Sequence, residues 1–166
     1  MNVYKKMRKN FKTVEDIWIF IQILFIITTL PLVLRFYSLP GLMRVFTPRT
    51  LKINKSSDSE EFQDKVVRFT DYILSRKYLA GKNPCLKRSL VLYHLLRKSG
   101  MEVTICFGVR FNTMLLPAGS PQKRLEGHAW LLYKGKIFLE KNSEVVKSYK
   151  VTYIFPEEES ISFANL

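Results

Sequence analysis

Residues 17–34, IWIFIQILFIITTLPLVL, carry no charge at any of eighteen positions. As a helix the run is about 27 Å long, close to the thickness of bilayer hydrocarbon. Any fold must bury this segment, either in a membrane or against other apolar surface. A transmembrane helix and a helix docked on the rest of the chain both stay open. Gln22, Thr28, Thr29 and Pro31 interrupt the run, and its length is at the lower limit for a span. Basic residues flank it on both sides: Lys5, Lys6, Arg8, Lys9 and Lys12 before, Arg35, Arg44 and Arg49 after. Charge asymmetry therefore gives no orientation. No small-residue cleavage site follows, which argues against a removable signal peptide. Residues 1–50 read as a basic, strongly apolar helical segment, membrane-associated or docked, and residues 51–166 as the domain proper.

The formal net charge is +13, from 27 basic and 14 acidic residues, which favours an acidic or polyanionic partner. Nucleic acid ranks last, because the cations are scattered and no nucleic-acid-binding motif occurs. Two cysteines, Cys85 and Cys106, are too few for a disulfide scaffold, and no Cys/His spacing suggests zinc.

Downstream of Pro40, Gly41 and Pro48, which break up the next stretch, a helix is expected from near Ser57 or Asp58 to about Tyr78. Phe62, Val66, Phe69 and Ile73 give it an apolar side. A second helix spans NPCLKRSLVLYHLLRKSG, with Asn83 as N-cap, Pro84 at the first position, basic residues in the last turn and Gly100 as the left-handed stop. After Gly100 the apolar period drops to two. Val103, Ile105, Phe107, Val109 and Phe111 mark a strand, residues 112–124 read as a loop, and GHAWLLYKGKIFLEK reads as two strands about a Lys134–Gly135 turn. KVTYIF is a further short strand. Helices first and an antiparallel sheet afterwards is an α+β order.

Cys85 sits in the first turn of its helix, with Lys82, Lys87 and Arg88 near it in sequence. A helix N-terminus and nearby cations both favour the thiolate, which is the nucleophilic form. Cys106 reads instead as a buried structural thiol. A nucleophile needs a base, and there are two histidines. His94 lies nine residues along the same helix and faces away from Cys85. His128 opens a strand after a loop. A three-residue loop, Tyr133–Lys134–Gly135, would pair His128 with Glu140 on one face, where a carboxylate can fix the imidazole tautomer.

In order and spacing, CLKRSLVLYHLLRKSGMEVTICFGVR followed by HAWLLYKGKIFLE resembles the transglutaminase-like cysteine proteases of lasso-peptide biosynthesis. These form the protease half of the lasso-peptide B protein, which removes the leader from the precursor. The shared features are a Cys-Leu-x-Arg-Ser/Ala-Leu helix start, a Gly-Val-Arg-type strand end and His-Ala-Trp. The resemblance covers about residues 57–140 and extends loosely to 1–50. It implies a papain/transglutaminase-like fold, with the sheet packed on the helix that carries Cys85. It makes Cys85 the nucleophile and His128 the base, and puts Glu140 where the family usually has Asp. It also implies a precursor peptide as substrate, a separate leader-recognition protein and a macrolactam cyclase as partners, and a cytoplasmic setting with membrane contact through 17–34 left open. ATP has been associated with the family's maturation step, yet the chain has no P-loop and no cofactor or metal motif. Acyl transfer to an amine by the same three residues, and a non-catalytic membrane- or partner-binding module, are the competing readings.

Overall fold

The computed structural model describes residues 13–48, 60–115, 121–140 and 142–156. The chain forms two compact units that divide between Met101 and Glu102.

The first unit is helical: α1 (Val14–Phe36), α2 (Leu39–Phe46), α3 (Glu60–Leu74), a single turn α4 (Lys77–Ala80) and α5 (Pro84–Lys98). The apolar run is thus the middle of a 23-residue helix, long and apolar enough by composition to cross a membrane. Thr13 and Asp16 form a reciprocal capping box at its start. The hydroxyls of Thr28 and Thr29 donate to carbonyls of the preceding turn, Thr28 to Leu24 at 2.9 Å and Thr29 to Phe25 at 2.8 Å. Their polarity is therefore spent inside the helix. One side of α1 is buried through Ile23, Ile27 and Leu30, and α1 packs on α3 and α5.

Pro40 and Gly41 do not break the chain as the sequence suggested: they lie in the first turn of α2. Proline is tolerated there because the first turn's N–H groups have no helical acceptor. The expected helix from 57 or 58 to 78 ends at Leu74, is broken at Ser75–Arg76 and resumes as α4. Its expected start lies outside the described residues. Val66, Phe69 and Ile73 are buried as their spacing predicts.

α5 ends as expected. Gly100 has φ +100°, and Met101 N–H donates to Leu96 O while Gly100 N–H donates to Arg97 O, the paired bonds of a Schellman motif. The other end differs. Asn83 is at the N-cap position but in the left-handed conformation, φ 59°, and its side chain makes no capping bond. A capping side chain needs extended backbone, which this residue does not have.

The second unit is a four-stranded antiparallel sheet in the order β3-β2-β1-β4, from β1 (Val103–Leu115), β2 (Pro121–Tyr133), β3 (Lys136–Phe138) and β4 (Lys150–Phe155), with one short helix, α6 (Ser143–Lys147), before β4. The loop expected over 112–124 is largely strand at residues 112–115 and 121–124, and residues 116–120 lie outside the described ones. Those two spans continue the β1–β2 ladder out to Leu115 opposite Pro121. The Gly-Val-Arg element is accordingly mid-strand. Cys106, Trp130, Leu132, Val146 and Ile154 form this unit's core cluster, which α6 enters through Val146. Burial pushes the Cys106 thiol up to about 12, so it stays protonated and inert, as read.

Candidate active site

Cys85 occupies the second position of α5 and is half-buried. Two of the cations near it in sequence have structural work. Lys87 Nζ donates to Leu79 O at 2.7 Å, and Arg88 Nε bonds Asp71 Oδ1 at 2.8 Å. They tie the turn before α5, and α3, to its first turn. His94 is the domain's other imidazole, and its Nδ1 meets Phe46 O at 2.9 Å. Burial holds it below its ordinary pKa, against the raising effect of that carbonyl. A neutral His94 therefore donates Nδ1–H to a backbone oxygen, a structural role.

In the second unit, His128 Nε2 and Glu140 Oε2 are 3.7 Å apart, both side chains 18% exposed. The pair expected from sequence meets, but not by the expected route. The hairpin loop has two residues, not three: Tyr133 pairs with Lys136, Leu132 with Ile137 and Leu131 with Phe138. Lys134 and Gly135 both take positive φ, 51° and 73°, as a two-residue loop of this hand requires. Continued as a strand, that register would put Glu140 on the face away from His128. The strand stops instead. Leu139 has φ 55°, which turns the chain out of the ladder and brings the carboxylate to the imidazole.

At 3.7 Å the carboxylate brings its charge beside Nε2. That charge favours an N–H on Nε2 and stabilises the imidazolium. In the neutral ring Nδ1 is then the nitrogen that takes up a proton.

Three further side chains define the imidazole's surroundings, and sequence reasoning missed their role. Trp130, two residues on and so on the same face, lies nearly parallel to the ring at 6.0 Å. Tyr149 lies 5.1 Å away, and on Tyr149 rests the Arg110 guanidinium at 4.6 Å. Arg110 is itself held by two bonds of 3.0 Å to Glu126 Oε2 and one to Ser148 Oγ. Asn112 Nδ2 adds a bond to Glu126 Oε1, and this with Arg110 holds the Glu126 carboxyl below its ordinary value. The period-two pattern put Trp130 beside His128 in principle. Tyr149 follows a helix with no local signal, so nothing in its own stretch pointed to it.

Gly108 pairs directly across the ladder from His128. A β-carbon there would stand 2.8 Å from Trp130 Cη2 and 3.0 Å from Lys150 O. Only glycine lets the indole lie flat beside the imidazole.

Among the described residues no group of three or more His, Cys, Asp or Glu is placed to hold a metal ion. A family profile described as transglutaminase-like superfamily matches residues 28–153, about three-quarters of the chain. No curated protein and no solved structure matches it.

Proposed function

The chain belongs to the transglutaminase-like superfamily, which includes cysteine peptidases and acyltransferases, and from that premise we propose that it is a cysteine peptidase that removes the leader from a ribosomally made lasso-peptide precursor. The single observation that carries the chemistry is the His128–Glu140 pair, an imidazole with a carboxylate 3.7 Å from one ring nitrogen. A base so oriented has a use when a nucleophile stands at its other nitrogen, and the proposal gives that place to Cys85.

His128 Nδ1 takes the proton of Cys85 Sγ, and the thiolate attacks the carbonyl carbon at the leader–core junction. The carbonyl π pair becomes an oxyanion. The Cys85 backbone N–H, in the first turn of α5, is one donor for it. Asn83, whose side chain is not engaged in capping, offers its amide as a second. Collapse of the intermediate breaks the C–N bond as the imidazolium protonates the leaving amine. The resulting thioester is hydrolysed by a water that His128 deprotonates, releasing the acid and restoring the thiol. Glu140 stays ionised throughout and stabilises the imidazolium.

The order and spacing of the Cys85 helix and the His-Ala-Trp strand support the lasso-peptide assignment over other peptidase substrates. The partners it entails are the precursor peptide, a separate leader-recognition protein and the macrolactam cyclase. The net charge of +13 suits an acidic leader or carrier.

The test is incubation with a candidate precursor and its recognition protein, read by mass spectrometry. Leader release by the native protein and none by Cys85→Ala, with circular dichroism unchanged, is expected. Full cleavage by Cys85→Ala removes the thiol from the mechanism. A product carrying an added amine instead of water makes the protein an acyltransferase.

A further inference from the structure

The two sides of α1 face different media. Ile23, Ile27 and Leu30 are buried, along with Asp16, which is 1% exposed and paired with Lys65 at 3.0 Å. At 100° per residue the opposite side of the helix is the row Val14, Trp18, Ile21, Phe25, Leu32 and Phe36. Every one of these is exposed, Trp18 at 62% and Phe25 at 66%. The row advances by threes and fours over about 33 Å. Thr28 lies in it, and its hydroxyl is spent on backbone carbonyls, so no unpaired polar side chain interrupts the strip. Contiguous apolar surface of this size on a soluble chain marks a site of contact.

Charge identifies the occupant. Residues 1–14 hold five cations, Lys5, Lys6, Arg8, Lys9 and Lys12, and no acidic residue. Arg35, in the last turn of α1, and Arg44, on α2, are exposed near the other end of the strip. A second copy of the chain would bring the same excess of +13 against itself. A surface both apolar in depth and anionic at its rim is a lipid bilayer with acidic headgroups. Trp18 and Tyr37, exposed aromatic side chains with polar atoms, suit the headgroup level.

We infer that α1 lies in the plane of an anionic bilayer with this row in the lipid, and does not cross it. Crossing would strip α1 from its own unit. It would break the Asp16–Lys65 pair and the bond from Lys98 Nζ to Gln22 Oε1 at 3.1 Å, and it would part Phe20 from Phe69, whose ring centroids are 5.8 Å apart. It would also carry the Asp16 carboxylate to the hydrocarbon's edge without its partner. Lying flat keeps all of these and buries only what is already exposed. The inference does not depend on the peptidase reading.

The chain contains two tryptophans, and Trp130 is buried, so Trp18 reports on the contact. Full-length Trp130→Phe protein is mixed with vesicles of phosphatidylcholine alone or with three parts in ten phosphatidylglycerol. A blue shift of Trp18 emission, quenching by brominated lipid and co-sedimentation with the anionic vesicles are expected, weakened at least ten-fold by raised salt. The same protein carrying Phe25→Ser and Leu32→Ser is expected to lose at least ten-fold in vesicle binding with helicity unchanged. Equal binding by that variant overturns the inference, as does absence of binding by the parent. Resistance of the bound protein to alkaline extraction makes α1 a spanning helix and overturns it too. A dimer in solution that these serines dissociate, with vesicle binding unaffected, gives the strip to a second copy.

Discussion

Glu140 Oε2 lies 3.7 Å from His128 Nε2 because the strand that would have carried the carboxylate to the opposite face ends at Phe138. The left-handed turn at Leu139 is what converts an unfavourable register into a contact. Glu140→Gln keeps the size of the side chain and removes its charge. In the proposed reaction turnover should fall by about 10²-fold or more, the direction expected when an imidazole loses the anion that fixes its tautomer. Glu140→Asp, with a shorter reach, should lose less. Steady-state cleavage rates check both.

Gly108→Ala should be costly although it adds one methyl group. Its β-carbon meets the Trp130 ring at 2.8 Å and the Lys150 carbonyl at 3.0 Å, and neither is the end of a flexible chain. Overpacking of this kind costs about 1–3 kcal/mol. Thermal unfolding should show it, together with a loss of turnover as the indole tilts into the imidazole. Trp130→Phe is the control. The indole Nε1 is buried with no hydrogen-bond partner among the described residues, so its removal leaves nothing unpaired. That change should cost stability through the space the smaller ring leaves, and not through a lost hydrogen bond.

Arg110→Gln should act at a distance from the reacting atoms. It releases Tyr149 from the guanidinium and Glu126 from one of its two partners. Turnover should fall with KM little changed, as the imidazole's neighbour loses its support. The Glu126 carboxyl, depressed first by Asn112 and then by Arg110, contributes stability above the ordinary glutamate value of 4.5, and that contribution is lost as pH falls through its lowered value in the folded state. The variant should therefore show a flatter loss of stability in acid. Denaturant unfolding across that range checks it.

His94 gives a second pH window of stated sign. Burial, its main cause, lowers its pKa below 6.5, so the unfolded chain binds the proton more tightly. Its contribution is whole above 6.5 and declines as pH falls from there toward the lowered folded value. His94→Asn keeps a donor near Phe46 O and has no proton to gain. Its stability should be flat across that window where the native protein's falls.

The helices, the sheet and their order were legible because each rests on local periodicity: Val66, Phe69 and Ile73 at helical spacing, Val103 to Phe111 at spacing two. The end of α5 was legible because glycine at a C′ position has one main use. What escaped depended on backbone at single residues. Asn83 looks like a cap in sequence but takes positive φ, and Lys134 and Leu139, where nothing in the side chain asks for it, do the same. Pro121 lies in a ladder because it is the first residue of its strand. The Arg110–Tyr149–His128 arrangement joins three separate stretches, and no pattern within any one of them reveals it.

The proposed reaction requires that the Cys85 thiol and the His128 imidazole work as one ionised pair. Its most direct measurement is the pH dependence of iodoacetamide alkylation at Cys85, located by mass spectrometry, in native protein and in His128→Ala. In the native protein, alkylation should titrate well below the ordinary thiol value of about 8.5, and in His128→Ala the midpoint should return to that value or higher. Cys106 should stay unlabelled in both. A Cys85 midpoint that is ordinary in the native protein, or that His128→Ala leaves unmoved, would contradict the account.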